Sequence, residues 1–450
     1  MKKDLQQREH WSTRLGFILA AAGSAVGLGN IWRFPYVTGT QGGAAFLLIY
    51  LIAIILIGYP VMVTEMTMGK VTQRNPVGAF KKLAEDTSWY LVGGLGVLTG
   101  FVILSFYSVV AGWSLHYMVE SITGLAAGAD YEALFGEHIS SVGLPIFYHA
   151  IFMFMTAAVI AAGVVKGIQK AVKTLMPILF VLLVILIFRS VTLEGAAEGL
   201  SFYLAPDFGE VGIGTLNDAI GQAFFTLSLG MGAIITYGSY LSKDENIGDN
   251  AAWVVGLDTL IAIMAGFAIF PAVFALGLDP ATGPGLTFVT LPAVFSEMPL
   301  GSFFGFVFFV MLSISALTSS ISLLEVVVAW IVDEHNWARK KAAIFMGVVI
   351  FLTGIPPVLG YGPWDGFEFF GMDILDTYDF FADSIFLPLG GLLTAVFAGH
   401  VYTARKLRDK ANEVEGKIFV GDWFDPLIKY VVPIAIAVII SVNLYTVFIG

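Results

Sequence analysis

The sequence predicts an all-α integral membrane protein, and three observations predict it. Of its 450 residues 57% are hydrophobic and only 13% are charged, about half the charged share of a soluble domain. The apolar residues fall into runs that reach the ~20 residues needed to cross a bilayer. Lys and Arg collect in alternate loops between those runs. No long polar stretch is left for a separate soluble domain. The net charge of −11 argues against nucleic acid as a partner, because phosphate binding needs a basic face. The absence of Cys removes disulfides, thiolate metal sites and Cys nucleophiles. The His residues form no close pair along the chain, so a haem- or zinc-binding helix is not expected.

Eleven segments reach spanning length. The polar N-terminus, Met1–His10, runs into the first, 14–38, with no A-x-A-like cleavage site, so it is not a signal peptide. The second, 44–70, closes on Lys70, and the third, 90–120, follows the basic loop holding Arg74, Lys81 and Lys82. The fourth, 146–165, and fifth, 170–189, are divided by Lys166, Lys170 and Lys173. The sixth, 216–241, leads through Lys243 to the seventh, 251–278. The eighth, 302–333, and ninth, 341–361, flank Arg339, Lys340 and Lys341. The tenth, 378–402, precedes the basic loop from Arg405 to Lys417, and the eleventh is 426–449. An odd count places the termini on opposite sides. With the N-terminus cytoplasmic and the C-terminus extracellular, the basic loops all face the cytoplasm. Only Arg33 and Arg189 face outward, among acids such as Asp130, Glu194, Asp279 and Asp376. That pattern predicts a multi-pass protein of the cell inner (plasma) membrane.

Two spans are interrupted. The first holds Gly23-Ser-Ala-Val-Gly27-Leu-Gly29-Asn30, and the sixth holds Thr226-Leu-Ser-Leu-Gly230-Met-Gly232. The two lie five spans apart, an odd offset, so they enter the membrane in opposite directions. Broken helices at matching positions of two inverted halves point to the binding site of a secondary transporter. Small-residue helix packing is the competing explanation of either Gly-x-Gly alone.

Unwound helix frees carbonyls that suit a hard cation such as Na⁺, and N–H groups that attract a carboxylate. Asn30 adds an amide oxygen at the first break, and Thr226 and Ser228 add hydroxyls at the second. In the eighth span Ser315, Thr318, Ser319 and Ser322 share one helix face. They either complete an oxygen cage or bond their own preceding carbonyls. Asp258 stands mid-span without a basic neighbour at helical spacing, which makes it a cation ligand or a protonated structural acid. Glu65 and Glu325, nearer the cytoplasmic ends, fit capping or solvated roles as well as functional ones. Arg33 with Asp379 makes an outer gate, or Arg33 simply snorkels. The Tyr107 hydroxyl, too deep for an interfacial belt, needs a buried partner, either a substrate carboxylate or a neighbouring helix. No Walker A sequence is present, which disfavours ATP-driven pumping, and nothing pairs catalytic groups, so no enzyme is expected.

The stretch from Arg8-Glu-His-Trp11 through Gly27-Leu-Gly29-Asn30-Ile-Trp-Arg33-Phe-Pro35 resembles the first helix of the neurotransmitter:sodium symporters. Phe225-Thr226-Leu-Ser228-Leu-Gly230-Met-Gly232 and Leu317-Thr318-Ser319-Ser320 agree with the same family, and the likeness runs over nearly the whole chain. It is nearest to bacterial amino-acid transporters of the LeuT fold. The resemblance implies a five-plus-five inverted repeat with helices 1 and 6 unwound: residues 1–203, then 204–404, then a cytoplasmic loop and eleventh helix over 405–450. It implies two Na⁺ sites and alternating access. Sodium 1 would use Ala25, Asn30, Thr226 and Asp258 with the substrate carboxylate. Sodium 2 would use Gly23, Val26, Ser315, Thr318 and Ser319. The carboxylate would meet the N–H groups of Leu28 and Gly29 and the hydroxyl of Tyr107. The ammonium would meet Ala25, Phe225, Thr226 and Ser228. Ile103, Phe225, Met231 and Leu323 would line the side-chain pocket, and Ser319 belongs to the substrate set too. Arg33 and Asp379 above Phe225 resemble the outer gate. Arg8 and Asp333, supported by Trp11 and Tyr240, resemble the inner one. Gly167 and Pro177 match a spacing that the family associates with local unwinding of the fifth helix.

Departures from the family refine the expectation. Monoamine transporters hold Asp where Gly27 stands, and Gly leaves room for a substrate's own carboxylate. The Ser of the chloride site is replaced by Ala262, with Asp258 nearby, which implies chloride independence. The usual twelfth helix is missing. The expectation is sodium-coupled import of aliphatic and aromatic L-amino acids, with a lipid bilayer and a small-molecule substrate as partners. The alternative is a non-transporting sensor or an ion channel on the same scaffold. Preferred amino acid, proton antiport and oligomeric state are open at this point.

Overall fold

The computed structural model describes residues 9–209, 211–281 and 285–448. Among them the regular structure is all helical, with a lone bridge between Phe369 and Met372 and no strand. Nine helices are long and apolar enough to cross a membrane: Ala44–Thr72, Tyr90–Thr123, Gly143–Ala161, Val164–Val191, Ile247–Ala275, Gly301–His335, Arg339–Gly360, Ile374–Val401 and Phe424–Phe448. The first expected span is a pair, Arg14–Ala25 and Gly29–Thr40, bent by 50°. The sixth is split into Ile213–Thr226 and Ala233–Gly238. Each of the eleven expected segments therefore has its helix, and the two Gly-x-Gly segments are where helices break.

Span 1 begins where the Thr13 hydroxyl accepts from the Gly16 N–H at 3.1 Å, capping a free donor of the first turn. Its body is nearly all small residues, from Ala20 to Ala25, and every one is buried. Small side chains let three long helices, the fifth, seventh and eighth, approach it closely. The third and eighth spans pack against each other more extensively than any other pair. Both are largely buried, with 72% and 83% of their most apolar windows enclosed, as helices surrounded by protein are. The fifth and eleventh are peripheral, with 28% and 17% of their most apolar windows buried. They carry outward-facing Phe188 and Ile434, the surface a bilayer covers. The centre is polar by contrast: Ser24, Asn30, Thr226, Asp258, Ser315, Thr318 and Ser322 are all buried.

The fold adds one contact that the linear sequence does not show. His116, late in the third span, and His138, on the loop helix Tyr131–Ser140, stack in parallel with ring centroids 3.7 Å apart. Two histidines twenty-two positions apart meet because that loop helix folds back onto the third span. Burial and the neighbouring imidazole push His138 down to about 3, so this imidazole is neutral at neutral pH.

Candidate functional site

The site lies where the two breaks face each other. At the first, helix hydrogen bonding stops at Val26, whose ψ of 90° leaves the α region. The Asn30 side chain then braces the gap: Oδ1 accepts from the Gly27 N–H at 3.1 Å. Its Nδ2 donates to the Asp258 carboxylate at 2.8 Å and carbonyl at 3.1 Å. The Thr226 hydroxyl donates to both Asp258 oxygens, at 3.0 and 3.3 Å. Asn30, Thr226 and Asp258, from three spans, thus converge in one fully buried cluster. Among the described residues, the hydrogen-bond partners of the Asp258 carboxylate are the neutral side chains of Asn30 and Thr226. A buried carboxylate with neutral donors alone is costly, and a cation is the kind of partner its chemistry suits.

Below the break the second cluster forms around span 8. The Thr318 hydroxyl donates to the Ser315 carbonyl at 2.9 Å and reaches the Val26 carbonyl at 3.3 Å. Gly23 faces this side chain: a Cβ there would lie 3.4 Å from the Thr318 Cβ and 3.3 Å from the Met176 sulfur. The Ser315 hydroxyl is buried without a hydrogen-bond partner. Ser319 and Ser228 both donate to the Ser24 carbonyl at 2.9 Å. Ser322 donates to the Ser319 carbonyl at 2.8 Å and receives the Ser24 hydroxyl at 2.6 Å. Every donor atom here is a neutral oxygen, the set that suits a hard monovalent cation.

Between the clusters lies a cavity lined by Ser24, Ala25, Gly27, Gly29, Ile103, Tyr107, Phe225, Ser228, Met231, Ser319 and Leu323. One end is polar. The Tyr107 hydroxyl accepts from the Leu28 N–H at 3.1 Å. A Cβ on Gly27 would stand 2.2 Å from the Ser319 hydroxyl and 2.9 Å from that of Tyr107, so only glycine keeps this corner open. The other end is apolar, walled by Ile103, Phe225, Met231 and Leu323. The backbone of the second break widens it, with positive φ at Ser228, Gly230 and Gly232. Leu28 and Thr226 are buried and are not part of the lining.

The side opposite the lysine-bearing loops corrects one assignment. Arg33 pairs with Asp383 in a two-pronged contact, 3.1 and 2.6 Å, and its guanidinium lies 4.8 Å over the Phe225 ring. Asp379, the expected partner, adds charge to the same cluster from one turn earlier. Residues four apart share a helix face, and the π turn Phe380–Phe386 brings the later acid opposite the arginine.

On the lysine-bearing side, the Trp11 indole N–H donates to the Tyr237 carbonyl at 3.0 Å and its ring meets Tyr240 edge-on. The Tyr240 hydroxyl donates to Glu325 at 2.5 Å, and Arg339 pairs with the same carboxylate. Asp333 accepts from the backbone and side chain of Asn75, at 2.9 and 3.1 Å. Arg8 lies outside the described residues. The π turn Val164–Gln169 holds Gly167, and the fifth span is helical from there onward through Pro177.

Sequence reasoning gave Ser24 no role and left Glu65 and Glu325 between capping, solvated and functional roles. Ser24 is a hub between spans 1, 6 and 8. Glu65 is wholly buried and accepts the Gly230 N–H at 2.7 Å, pinning the second break, so a solvated role is excluded. Glu325 is equally buried. A carboxylate inside an apolar run was the available signal for both.

The chain matches the sodium:neurotransmitter symporter family over residues 8–134 and 130–448. It is 43% identical to the sodium-dependent transporter YhdH of Bacillus subtilis (strain 168), spanning 98% of both chains. A sodium-dependent transporter of Haemophilus influenzae is 37% identical over 99% of this chain and 100% of its own. Among solved structures, the crystal structure of MhsT in complex with L-phenylalanine superposes with a TM-score of 0.89. It is 48% identical, covering 97% of this chain and 99% of that one.

Proposed function

The chain belongs to the sodium:neurotransmitter symporter family, and from that premise we propose that it imports hydrophobic L-amino acids coupled to two Na⁺. That it is a sodium-dependent membrane transporter rather than an enzyme follows from the family. The finer reading rests on one observation above the rest, the glycine corner beside the Tyr107 hydroxyl. A free amino acid brings a carboxylate that needs such a corner, and the Leu28 N–H and the Tyr107 hydroxyl stand at its edge. The apolar walls and the solved relative's bound phenylalanine support a hydrophobic side chain at the other end. The ammonium then meets the carbonyls of Ala25, Phe225 and Thr226 and the hydroxyl of Ser228.

Sodium 1 joins Asn30, Thr226, Asp258 and the Ala25 carbonyl to the substrate carboxylate, so ion and substrate bind each other. Sodium 2 sits among Gly23, Val26, Ser315, Thr318 and Ser319. With fixed charge at Asp258 and no hydroxyl at Ala262, chloride is not required. Residues 1–203 and 204–404 are the two inverted repeats, followed by 405–450. The N-terminus is cytoplasmic and the C-terminus extracellular in the plasma membrane. Arg33 with Asp383 over Phe225 closes one side, and Trp11, Tyr240 and Asp333 close the other. Each Na⁺ moving down 100 mV releases roughly 2.3 kcal/mol. Two ions with a neutral zwitterion supply roughly 4.6 kcal/mol, about a thousandfold accumulation.

Labelled amino-acid uptake into proteoliposomes tests this. Accumulation should require an inward sodium gradient, persist without chloride, and be competed by Trp, Phe and Leu better than by Gly. Equal filling with and without sodium would favour a channel, and binding without uptake would favour a sensor.

A further inference from the structure

The loop between the ninth and tenth spans presents uncovered rings. Trp364, Phe367, Phe369 and Phe370 crowd into seven positions, and each is 46% to 63% exposed. The loop is held by its own backbone. The Trp364 N–H donates to the Leu359 carbonyl at 2.9 Å, and the Phe367 N–H donates to the Trp364 carbonyl at 3.0 Å. Phe369 and Met372 exchange backbone bonds of 2.9 and 3.0 Å across a tight turn. Its two central residues, Phe370 and Gly371, have φ of +54° and +76°, the signs that a type I′ turn requires. Asn, Asp or Gly normally stands first in such a turn, because a Cβ there crowds the following carbonyl. Here the position holds a phenylalanine, and it is the most exposed of the four rings. Burial within the protein therefore does not offset the strain.

The neighbours of the turn fix its level. The Phe370 ring meets that of Phe448 edge-on, with centroids 5.4 Å apart. Phe448 closes the eleventh span, whose 25 residues cover about 37 Å against a hydrocarbon core of ~30 Å. The end of that helix reaches the headgroup layer. The same span is the least enclosed of the nine, with 17% of its most apolar window buried, and Tyr445, one turn before its end, is exposed. The aromatic loop thus continues the lipid-facing surface of the eleventh span. We propose that Trp364, Phe367 and Phe370 seat this loop in the boundary between lipid tails and headgroups, in the leaflet opposite the lysine-bearing loops. Aromatic rings favour that boundary. Charge is not the attraction: the loop carries Asp365, Glu368 and Asp373, and no Lys or Arg stands between Lys341 and Arg405. The anchor holds the start of the tenth span. The Asp373 carboxylate accepts the Asp376 N–H at 2.8 Å and caps Ile374–Asp379, and the Phe380 ring also meets Phe448, at 6.2 Å.

The chain has no Cys, so single nitroxide labels can report depth. Phe370→Cys and Phe367→Cys are labelled separately on the full chain and placed in nanodiscs of zwitterionic phosphatidylcholine. Each is first shown to elute and unfold as the wild type does, and two positions keep the test independent of either variant's folding. Collisions with oxygen, which dissolves in lipid, and with a water-soluble nickel chelate then give the depth of each label. Both labels should lie about 5–10 Å inside the headgroup boundary. Adding anionic phosphatidylglycerol should leave that depth unchanged or smaller. Labels that meet the nickel chelate as freely as a label in water overturn the inference. So does dipolar broadening between labels at 370, which would place a second copy of the chain over the loop. Insertion that occurs only with phosphatidylglycerol overturns it too, since the attraction would then be ionic.

Discussion

The two helix breaks differ in build, and the difference separates their tasks. The first spans three residues, 26–28, with every φ negative where it leaves and re-enters the helix. Side chains brace it: Asn30 from within, Tyr107 from span 3 and Thr318 from span 8. The second spans six residues, 227–232, three of them at positive φ. Close packing of its glycines holds it, together with the Glu65 carboxylate on the Gly230 N–H. A Cβ on Gly230 would stand 2.3 Å from the Leu387 carbonyl, and one on Gly232 would stand 2.6 Å from Pro76. A narrow, side-chain-braced break offers fixed oxygens, which suits ions. A wide break with small residues at Ser228, Gly230 and Gly232 offers room, which suits the variable end of a substrate.

Substitutions can break that contrast, and the largest effect falls on the second break. Gly230→Ala adds left-handed strain of about 1–2 kcal/mol to a collision with the tenth span's backbone. No flexible side chain is available to yield. Thermal unfolding should show a protein destabilised by about 3 kcal/mol or more. Near-wild-type stability would mean that this backbone is not held by contact. Next comes Asp258→Ala, which removes the one carboxylate of the ion cluster. Sodium-dependent binding should weaken by about a hundredfold or more, about 3 kcal/mol. Unchanged sodium affinity would remove Asp258 from the site.

Gly27→Ala should separate ion from substrate at the first break. The new methyl group meets hydroxyls of Ser319 and Tyr107 rather than backbone, so the fold survives while the carboxylate corner closes. Amino-acid affinity should fall by about fiftyfold to a hundredfold, roughly 2–3 kcal/mol, with sodium binding in the absence of substrate changed much less. An equal loss of both would show that the first break is not divided in this way.

The breaks were legible because glycine pairs inside apolar runs have few uses, and Asp258 because an unpaired charge mid-span demands an explanation. The eleven helices followed from length and charge alternation alone. What the sequence could not show was which face a residue presents. Asp379 and Asp383 lie one turn apart, and only the π turn between them decides which meets Arg33. Glu65 sits in a helix buried on nearly every side along Val61–Lys70, so no stripe of polarity revealed that it points at Gly230. Glu9 lies outside any helix, and its tie to Val164 joins residues 155 positions apart. Such contacts depend on how loops return, which no local pattern encodes.

Met231 offers the mildest and most selective probe of the contrast. It lines the apolar end of the cavity from within the second break, and its unbranched thioether adapts to differently shaped partners. Met231→Ala leaves both ion clusters and the glycine corner intact while removing packing from one wall. Each lost methylene contact in such a pocket is worth about 1 kcal/mol. Affinity for Val and Leu should therefore drop about fivefold to tenfold. Trp, whose ring can occupy the vacated space, should lose less than twofold or gain. Sodium affinity measured without amino acid should not move. If every amino acid weakened by the same factor, the second break would be acting on the shared backbone of the substrate. If sodium affinity fell with them, the two breaks would form one site, and the division between ion-facing and substrate-facing backbone would have to be given up.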